Sequence, residues 1–359
     1  PTQHSVMIPR EIGLTPDMIL CRSEYKLTKE VKQKIGLFGN VDPNHVIEGR
    51  EVKSIYEVPL NLYNQKVGTI IMERLELPGE VDVSYLETFI KKFKRPTHRV
   101  NIAMCGKYTE LPDAYKSVLE AFIHAGVEND ARVNVKWVDT EKLELTSDVE
   151  GSFQNLDGIL IPGGFGDRGI DGKIMASRYA RENDIPFFGI CLGLQCAIID
   201  FAQNVCGMKN ANSTEFSKNC GYPVIDLMQG QRGEKSKGAT MRLGSYPCRV
   251  KPGTKAIQAY GKRNIHERHR HRFEVNNKYR KKLEENGLVI SGENPELNLV
   301  EMIEIKRHPW FVGVQFHPEL KSRIVNVHPL FRDFIAATVD GDGQMRFREN
   351  NYKAQVVHT

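Results

Sequence analysis

The sequence predicts an α/β protein built on a mainly parallel sheet flanked by helices. Two observations carry this. From residue 99 onward, apolar stretches of strand length alternate with longer segments of helical periodicity. That is the pattern of strands joined through helices into a parallel sheet. Two of these stretches lead into glycine-rich turns, Pro162-Gly163-Gly164-Phe165-Gly166 and Gly189-Ile190-Cys191-Leu192-Gly193. Loops at the carboxyl ends of such strands are where α/β proteins hold ligands.

The elements follow in order. Residues 31–38 read as a helix end followed by a short strand, and 52–56 and 60–63 are short apolar stretches. Residues 82–93 place Val83, Leu86, Phe89, Ile90 and Phe93 at the spacing of an amphipathic helix. Its basic end, Lys91-Lys92-Phe93-Lys94-Arg95, could be a nucleic-acid or membrane patch. A solvated helix end is the preferred reading, because cations suit the negative end of the helix dipole. Pro96 stops that helix and marks a linker. Residues 99–105 form a buried strand, 113–126 a helix, 132–138 an alternating strand and 156–161 an apolar strand. Residues 174–183 are helical, 186–190 a strand and 192–202 a helix directly behind it, and 310–316 form a later strand. Residues 340–359 are polar and aperiodic, as in a flexible tail.

Composition narrows the function classes. A chain of 359 residues suggests two domains, on a prior of about 150 residues each. The net charge of +5 is too small to argue for nucleic acid, and no base-stacking motif is present. Seven widely spaced cysteines without a Cys-x-x-Cys argue against a disulfide framework and a structural zinc site, and for a cytoplasmic protein with reduced thiols. No apolar run reaches membrane-spanning length. The opening Pro1-Thr2-Gln3-His4 has neither initiator Met nor signal peptide and suggests a fragment of a longer protein.

Strand, Gly189-Ile190-Cys191-Leu192-Gly193, then helix has the shape of a nucleophile elbow. The glycines leave room for a tight turn, and the helix N-terminus favours thiolate over thiol. A free cysteine is more often a small buried hydrophobe. The flanking glycines and the strand–helix context favour a nucleophile at Cys191. Cys21, Cys105, Cys196, Cys206, Cys220 and Cys248 lack that context and read as core or surface thiols.

Gly313-Val314-Gln315-Phe316-His317-Pro318-Glu319 supplies a base. Residues two apart on a strand face one way, so Glu319 is expected to orient His317, which takes the thiol proton and later passes it to the leaving group. The Pro162–Gly166 loop, on its own a plain glycine turn, would with the N–H of Leu192 bind the oxyanion of a tetrahedral intermediate.

These three stretches resemble the signatures of class I, triad-type glutamine amidotransferases. Asn210-Ala211-Asn212-Ser213-Thr214-Glu215-Phe216, Met241-Arg242-Leu243-Gly244, Glu267-Arg268-His269-Arg270-His271-Arg272-Phe273-Glu274-Val275-Asn276 and His308-Pro309-Trp310-Phe311-Val312 narrow the resemblance to the CTP synthase family. So do Pro1-Thr2-Gln3-His4-Ser5-Val6, Asp17-Met18-Ile19-Leu20-Cys21-Arg22-Ser23 and Lys34-Ile35-Gly36-Leu37-Phe38, which are similar to the end of that family's ligase domain. Gly39 departs from the cysteine that many members carry there.

The resemblance implies the fold of a class I amidotransferase preceded by the tail of a P-loop-type α/β ligase domain. The expected divisions are 1–77 for that tail, 78–98 for a linker helix, 99–339 for the amidotransferase domain and 340–359 for the flexible tail. It implies glutamine hydrolysis at the triad, needing no cofactor, and transfer of ammonia to a domain where ATP phosphorylates UTP and ammonia displaces the phosphate to give CTP. ATP and magnesium serve that second step, CTP acts as product inhibitor and GTP as activator, and the assembly is a homodimer or homotetramer. Gly164, Leu192, Gly193, Leu194, Gln195, Glu215 and Arg272 map onto the glutamine site. Arg272 would fork onto the α-carboxylate, and Glu215 would pair with the α-ammonium. Gln3, Arg22, Lys34 and Val52 map near the nucleotides, and Arg168 is the candidate effector contact.

Arg268, Arg270 and Arg272 should share one face of a strand, with His269 and His271 on the other. Three arginines repel a cation, so no metal site is expected there or elsewhere in the chain. The family's phosphate-binding loop ending in Gly-Lys-Ser/Thr is not present in this sequence. The chain is therefore expected to carry the glutaminase half without the ATP-binding loop. Two other readings remain at this point: a γ-glutamyl hydrolase-like cysteine hydrolase, and a non-catalytic nucleotide-binding or assembly module.

Overall fold

The computed structural model describes residues 2–107, 111–146, 148–227 and 241–339. The expected flexible tail at 340–359 lies outside the described residues, as does the side chain of Gln3. The chain divides into two compact units, Pro1–Arg95 and Pro96–Thr359.

In the first unit, strands β1 (Ile19–Ser23) and β2 (Val46–Arg50) pair in parallel. The helix Lys29–Gly39 joins them, with Thr28 as its N-cap accepting from the Val31 N–H. The short strand expected near residue 38 is not formed, because the helix runs on to Gly39 and stops at Asn40, which takes a left-handed φ of 55°. Leu37 and Phe38 stay exposed. The stop signal is Gly39-Asn40 rather than Gly36, which packs where a Cβ would come 2.7 Å from the Val41 carbonyl oxygen. The amphipathic helix is Ser84–Lys94 and buries Leu86, Phe89 and Ile90. In its basic last turn Lys94 pairs with Glu57 at 2.8 Å.

The second unit is organised around a nine-stranded sheet. Its strands are β3 (His98–Gly106), β4 (Ala131–Asp139), β5 (Gly158–Ile161), β6 (Phe187–Ile190), β9 (Arg242–Val250), β10 (Asn264–His271), β12 (Leu288–Asn294), β13 (Leu299–Ile305) and β14 (Phe311–Val314). The order across the sheet is β10-β9-β12-β13-β14-β6-β5-β3-β4. Strands β14, β6, β5, β3 and β4 run parallel. The rest of the sheet, from β10 to β14, is antiparallel, so the sheet is mixed. A smaller three-stranded sheet holds β7 (Ala211–Ser213), β8 (Tyr222–Leu227) and β11 (Phe273–Val275).

Apolar cores pack on both faces of the large sheet. One takes Ile159, Ile161 and Phe187 with the helix Leu192–Asn204, and the other takes Leu160, Phe188 and Ile190 with the helix Pro329–Val339. Burial on both faces explains why β5 and β6 are continuous apolar runs rather than alternating ones. The three adjacent parallel strands β14, β6 and β5 end at one edge of the sheet, and the chain leaving each contributes to the site described next.

Candidate active site

Cys191 follows β6 directly and stands at the N-cap of the helix Leu192–Asn204. Its backbone takes φ 52° and ψ −97°, a region an L-residue enters only under constraint. The constraint comes from both sides. The Cys191 N–H donates to the Val314 carbonyl at 2.6 Å, and the Cys191 carbonyl accepts from the Gln195 N–H at 3.2 Å. Gly193 lies against β5 so closely that a Cβ would sit 2.3 Å from the Ile161 carbonyl oxygen. The helix can start so near the sheet only because that residue has no side chain. The N–H groups of Leu192 and Gly193 belong to the first turn, where a helix leaves its donors without intrahelical partners.

His317 lies just beyond β14, and its N–H donates to the Arg268 carbonyl of β10 at 2.7 Å. Its Nδ1 meets Glu319 Oε1 at 2.7 Å. The two residues meet for a different reason from strand alternation. The strand ends at Val314, and Glu319 stands in a 3₁₀ turn, Pro318–Leu320, capped by His317. The turn folds the carboxylate back onto the ring.

The other ring nitrogen, Nε2, is buried without a well-formed hydrogen bond, and it faces the Cys191 sulfur. Burial alone would pull the imidazole down. The charge and proximity of the Cys191 sulfur, reinforced by Glu319, reverse this and push His317 up to about 11. The imidazolium is thus the favoured form of His317.

The glycine loop leaving β5 completes this edge. A Cβ on Gly163 would lie 2.7 Å from His317 Cε1 and 3.6 Å from Cys191 Cβ. The loop therefore lies against both His317 and Cys191. Gly163, Gly164 and Leu192 line a cleft together with the cationic residues Lys107, Arg168 and Lys173.

Glu215, just past β7, is half-buried and accepts a hydrogen bond from the Gly166 N–H of the same loop. Burial raises its carboxyl, and the Gly166 N–H, Arg272 and Lys107 counter part of that rise. Arg272 sits between β10 and β11 and has a buried Nε without a hydrogen-bond partner. The structure therefore brings Glu215 and Arg272 together with the Gly166 end of the loop.

Leu192, Gly193, Leu194 and Gln195 form the buried first turn of the helix. The Gln195 amide turns inward, where Nε2 donates to the Phe273 carbonyl at 3.1 Å and to Gln315 Oε1 at 3.3 Å. Arg268 and Arg270 are exposed on β10, while His269 and His271 point inward. Arg168 pairs with Glu141 at 2.7 Å. In the first unit, Arg22 pairs with Glu51 at 3.1 Å, Lys34 is exposed and Val52 half-buried. Among the described residues no hydrogen bond or ion pair joins Lys34 or Val52 to Arg22.

Sequence reasoning missed two features. Lys107, whose ammonium donates to the Phe165 carbonyl, follows the end of β3 at the same edge as the other loops. The carboxyl-edge rule points to it as directly as to Cys191. Gln315, fully buried, lies two residues before His317 and places Nε2 3.7 Å from Cys191 Sγ.

Comparisons with known proteins agree with this geometry. The family model for glutamine amidotransferase class-I matches residues 110–337, and that for the CTP synthase N-terminus matches residues 1–77. The chain is 55% identical over 341 residues to a CTP synthase of Caldanaerobacter subterraneus, covering 95% of this chain and 63% of the relative. It is 56% identical over 341 residues to one of Chlorobium phaeobacteroides, covering 94% of this chain and 60% of the relative. The chain thus spans less than two thirds of the length of these relatives. Among solved structures, the glutaminase domain of Trypanosoma brucei CTPS with bound acivicin superposes with a TM-score of 0.64 at 37% identity, covering 67% of this chain and 94% of that one. The chain belongs to the class I glutamine amidotransferases and, within them, to the CTP synthase family.

Proposed function

We propose that this chain hydrolyses glutamine at Cys191 and that the longer protein of which it is a part uses the ammonia to convert UTP into CTP. The observation that carries the reading is the convergence of Cys191, His317 and Glu319 with Gly163 at one sheet edge, beside Glu215 and Arg272.

Glutamine enters with its α-carboxylate on the Arg272 guanidinium and its α-ammonium against Glu215. The Cys191 thiolate attacks the side-chain carbonyl carbon. The oxyanion that forms is met by N–H groups of the Gly163-Gly164 loop and of Leu192, at the positive end of the helix dipole. His317, held by Glu319, gives its Nε2 proton to the amide nitrogen, the C–N bond breaks and ammonia leaves. Neutral His317 then takes a proton from water, which attacks the thioester and releases glutamate. Cys191 departs as thiolate and His317 is again imidazolium, so the cycle closes.

ATP, UTP, the product CTP and a GTP activator belong to the longer protein in this reading, as does a symmetric homodimeric or homotetrameric assembly. Arg168, at the mouth of the cleft, remains the candidate for the activator contact. The same reading assigns 1–77 to the ligase domain and 99–339 to the amidotransferase domain. The ATP-dependent step calls for magnesium. Among the described residues no group of three His, Cys, Asp or Glu could hold a metal ion. The cysteines are unpaired, as in a reducing cytoplasmic setting, and no described helix is long and apolar enough to cross a membrane.

Ammonia release from L-glutamine by the chain as given tests the proposal. Turnover of free glutamine, none of γ-glutamyl peptides, and its abolition in Cys191→Ala are expected. Undiminished hydrolysis in Cys191→Ala would overturn the mechanism.

A further inference from the structure

We infer that Gln315 is a catalytic residue of this site, donating a hydrogen bond to the Cys191 sulfur that holds it as a thiolate, and that Gln195 is the residue that aims it. The inference rests on the reading of Cys191 as the nucleophile.

The donor and acceptor ends of a glutamine amide look alike, so the direction of the bond has to come from its neighbours. Here they determine it. The Phe273 carbonyl can only accept, and it faces the Gln195 amide at 3.1 Å. The Gln195 group pointing there is therefore NH₂. The same NH₂ reaches the Gln315 amide at 3.3 Å, so the end of Gln315 that faces it is the carbonyl oxygen. This leaves the Gln315 NH₂ directed at Cys191 Sγ, 3.7 Å away, within the range of an N–H to sulfur bond. A backbone carbonyl thus sets the polarity of a two-amide relay that ends on the nucleophile.

Both amides are buried, Gln195 at 3% exposure and Gln315 at 0%, so no water competes for these bonds. The Gln315 backbone is fixed too, its N–H donating to the Glu301 carbonyl at 2.9 Å. A hydrogen bond to an ionised sulfur is stronger than one to a thiol, so a fixed donor favours the ionised form. It also meets the sulfur again as Cys191 departs from the thioester as thiolate.

Gln315→Met keeps the volume and removes the donor. Alkylation of Cys191 by iodoacetamide in the full chain is the probe, since the thiolate is the reacting species. At pH 6 the variant should react about tenfold more slowly than the parent. At pH 9, where hydroxide ionises the thiol unaided, the two rates should agree within about twofold. Gln195→Leu, which frees the Gln315 amide to turn, should show a smaller deficit with the same pH dependence. Equal rates at pH 6, or an equal deficit at pH 6 and pH 9, would overturn the inference, the second marking a displaced sulfur rather than a lost donor. Either outcome leaves the nucleophile assignment standing if Cys191→Ala is inactive. Glutamine hydrolysis by Cys191→Ala would instead sink the underlying reading.

Discussion

The Glu319 carboxylate reaches His317 Nδ1 at 2.7 Å by way of a 3₁₀ turn, not along a shared strand. With Nδ1–H donating to the carboxylate, the ring presents Nε2 to the sulfur, so Glu319 fixes both the tautomer and the tilt of the base. Glu319→Gln keeps the size of the side chain and removes its charge. Its glutamine turnover number should fall about 100-fold with KM within about twofold, because general acid–base catalysis is worth about that factor. Steady-state ammonia release checks this, and a loss under about threefold would show that the ring needs no orienter.

Stability against alkali carries a second signature of the same site. The Cys191 charge, with Glu319, overcomes the effect of burial and raises His317 to about 11. A histidine raised on folding contributes stability that is complete below its unfolded value, about 6.5, and is lost as pH climbs through the folded value. Above about pH 8.5 an unfolded chain has long shed the imidazole proton, while folded His317 still holds its own. Folding stability should therefore drop between pH 9 and 10.5, and less steeply in Cys191→Ala, where the sulfur charge is missing. Urea unfolding of both proteins at the two pH values measures the difference. Parallel losses would argue against the ion pair.

The parallel half of the sheet was legible because of what buries it. Gly158–Ile161 and Phe187–Ile190 are covered on both faces, so each is an unbroken apolar run ending at a glycine turn. The antiparallel half was legible only in part: the alternation of Arg268 and Arg270 with His269 and His271 on β10 was read, while β9, β12 and β13 were not. On β10 the inward positions are Ile265, Glu267, His269 and His271, so the alternation of burial is regular while the alternation of hydrophobicity is not. Glu267 there finds its partners Lys321 and His328 far along the chain, which no local pattern shows. That Cys191, His317 and Glu319 come together was legible from their motifs, but the turn that joins His317 to Glu319 was not. Gln315 was missed because an amide beside a catalytic motif has no charge or periodicity to mark it. Its role shows only through Gln195 and the Phe273 carbonyl.

The interior of that antiparallel half sets up a third expectation. Arg242 spans two carboxylates, Nη1 to Glu274 Oε1 at 2.9 Å and Nη2 to Glu301 Oε1 at 2.8 Å, and all three side chains are buried. Burial pushes Glu274 up to about 8, against the pull of Arg242 and helped by the nearby Glu301, and burial raises Glu301 as well. One cation thus faces two carboxyls that tend to keep a proton between them. His269 and His271 pack beside them and are held neutral by burial and by Arg242. Arg242→Met leaves the carboxyls uncompensated and should destabilise the protein by about 3–5 kcal/mol. The pH dependence follows from the sign of the shift. A carboxyl raised on folding supplies stability below its unfolded value, about 4.3, and loses it as pH rises through the folded value. Without Arg242 the carboxyls rise further, so the deficit should grow between pH 5 and pH 8. At pH 5 the variant can hold protons on both carboxyls, which offsets part of the loss. Denaturant midpoints of parent and variant at the two pH values test this, and a deficit larger at pH 5 than at pH 8 would show that Arg242 is not what holds the buried carboxyls in place.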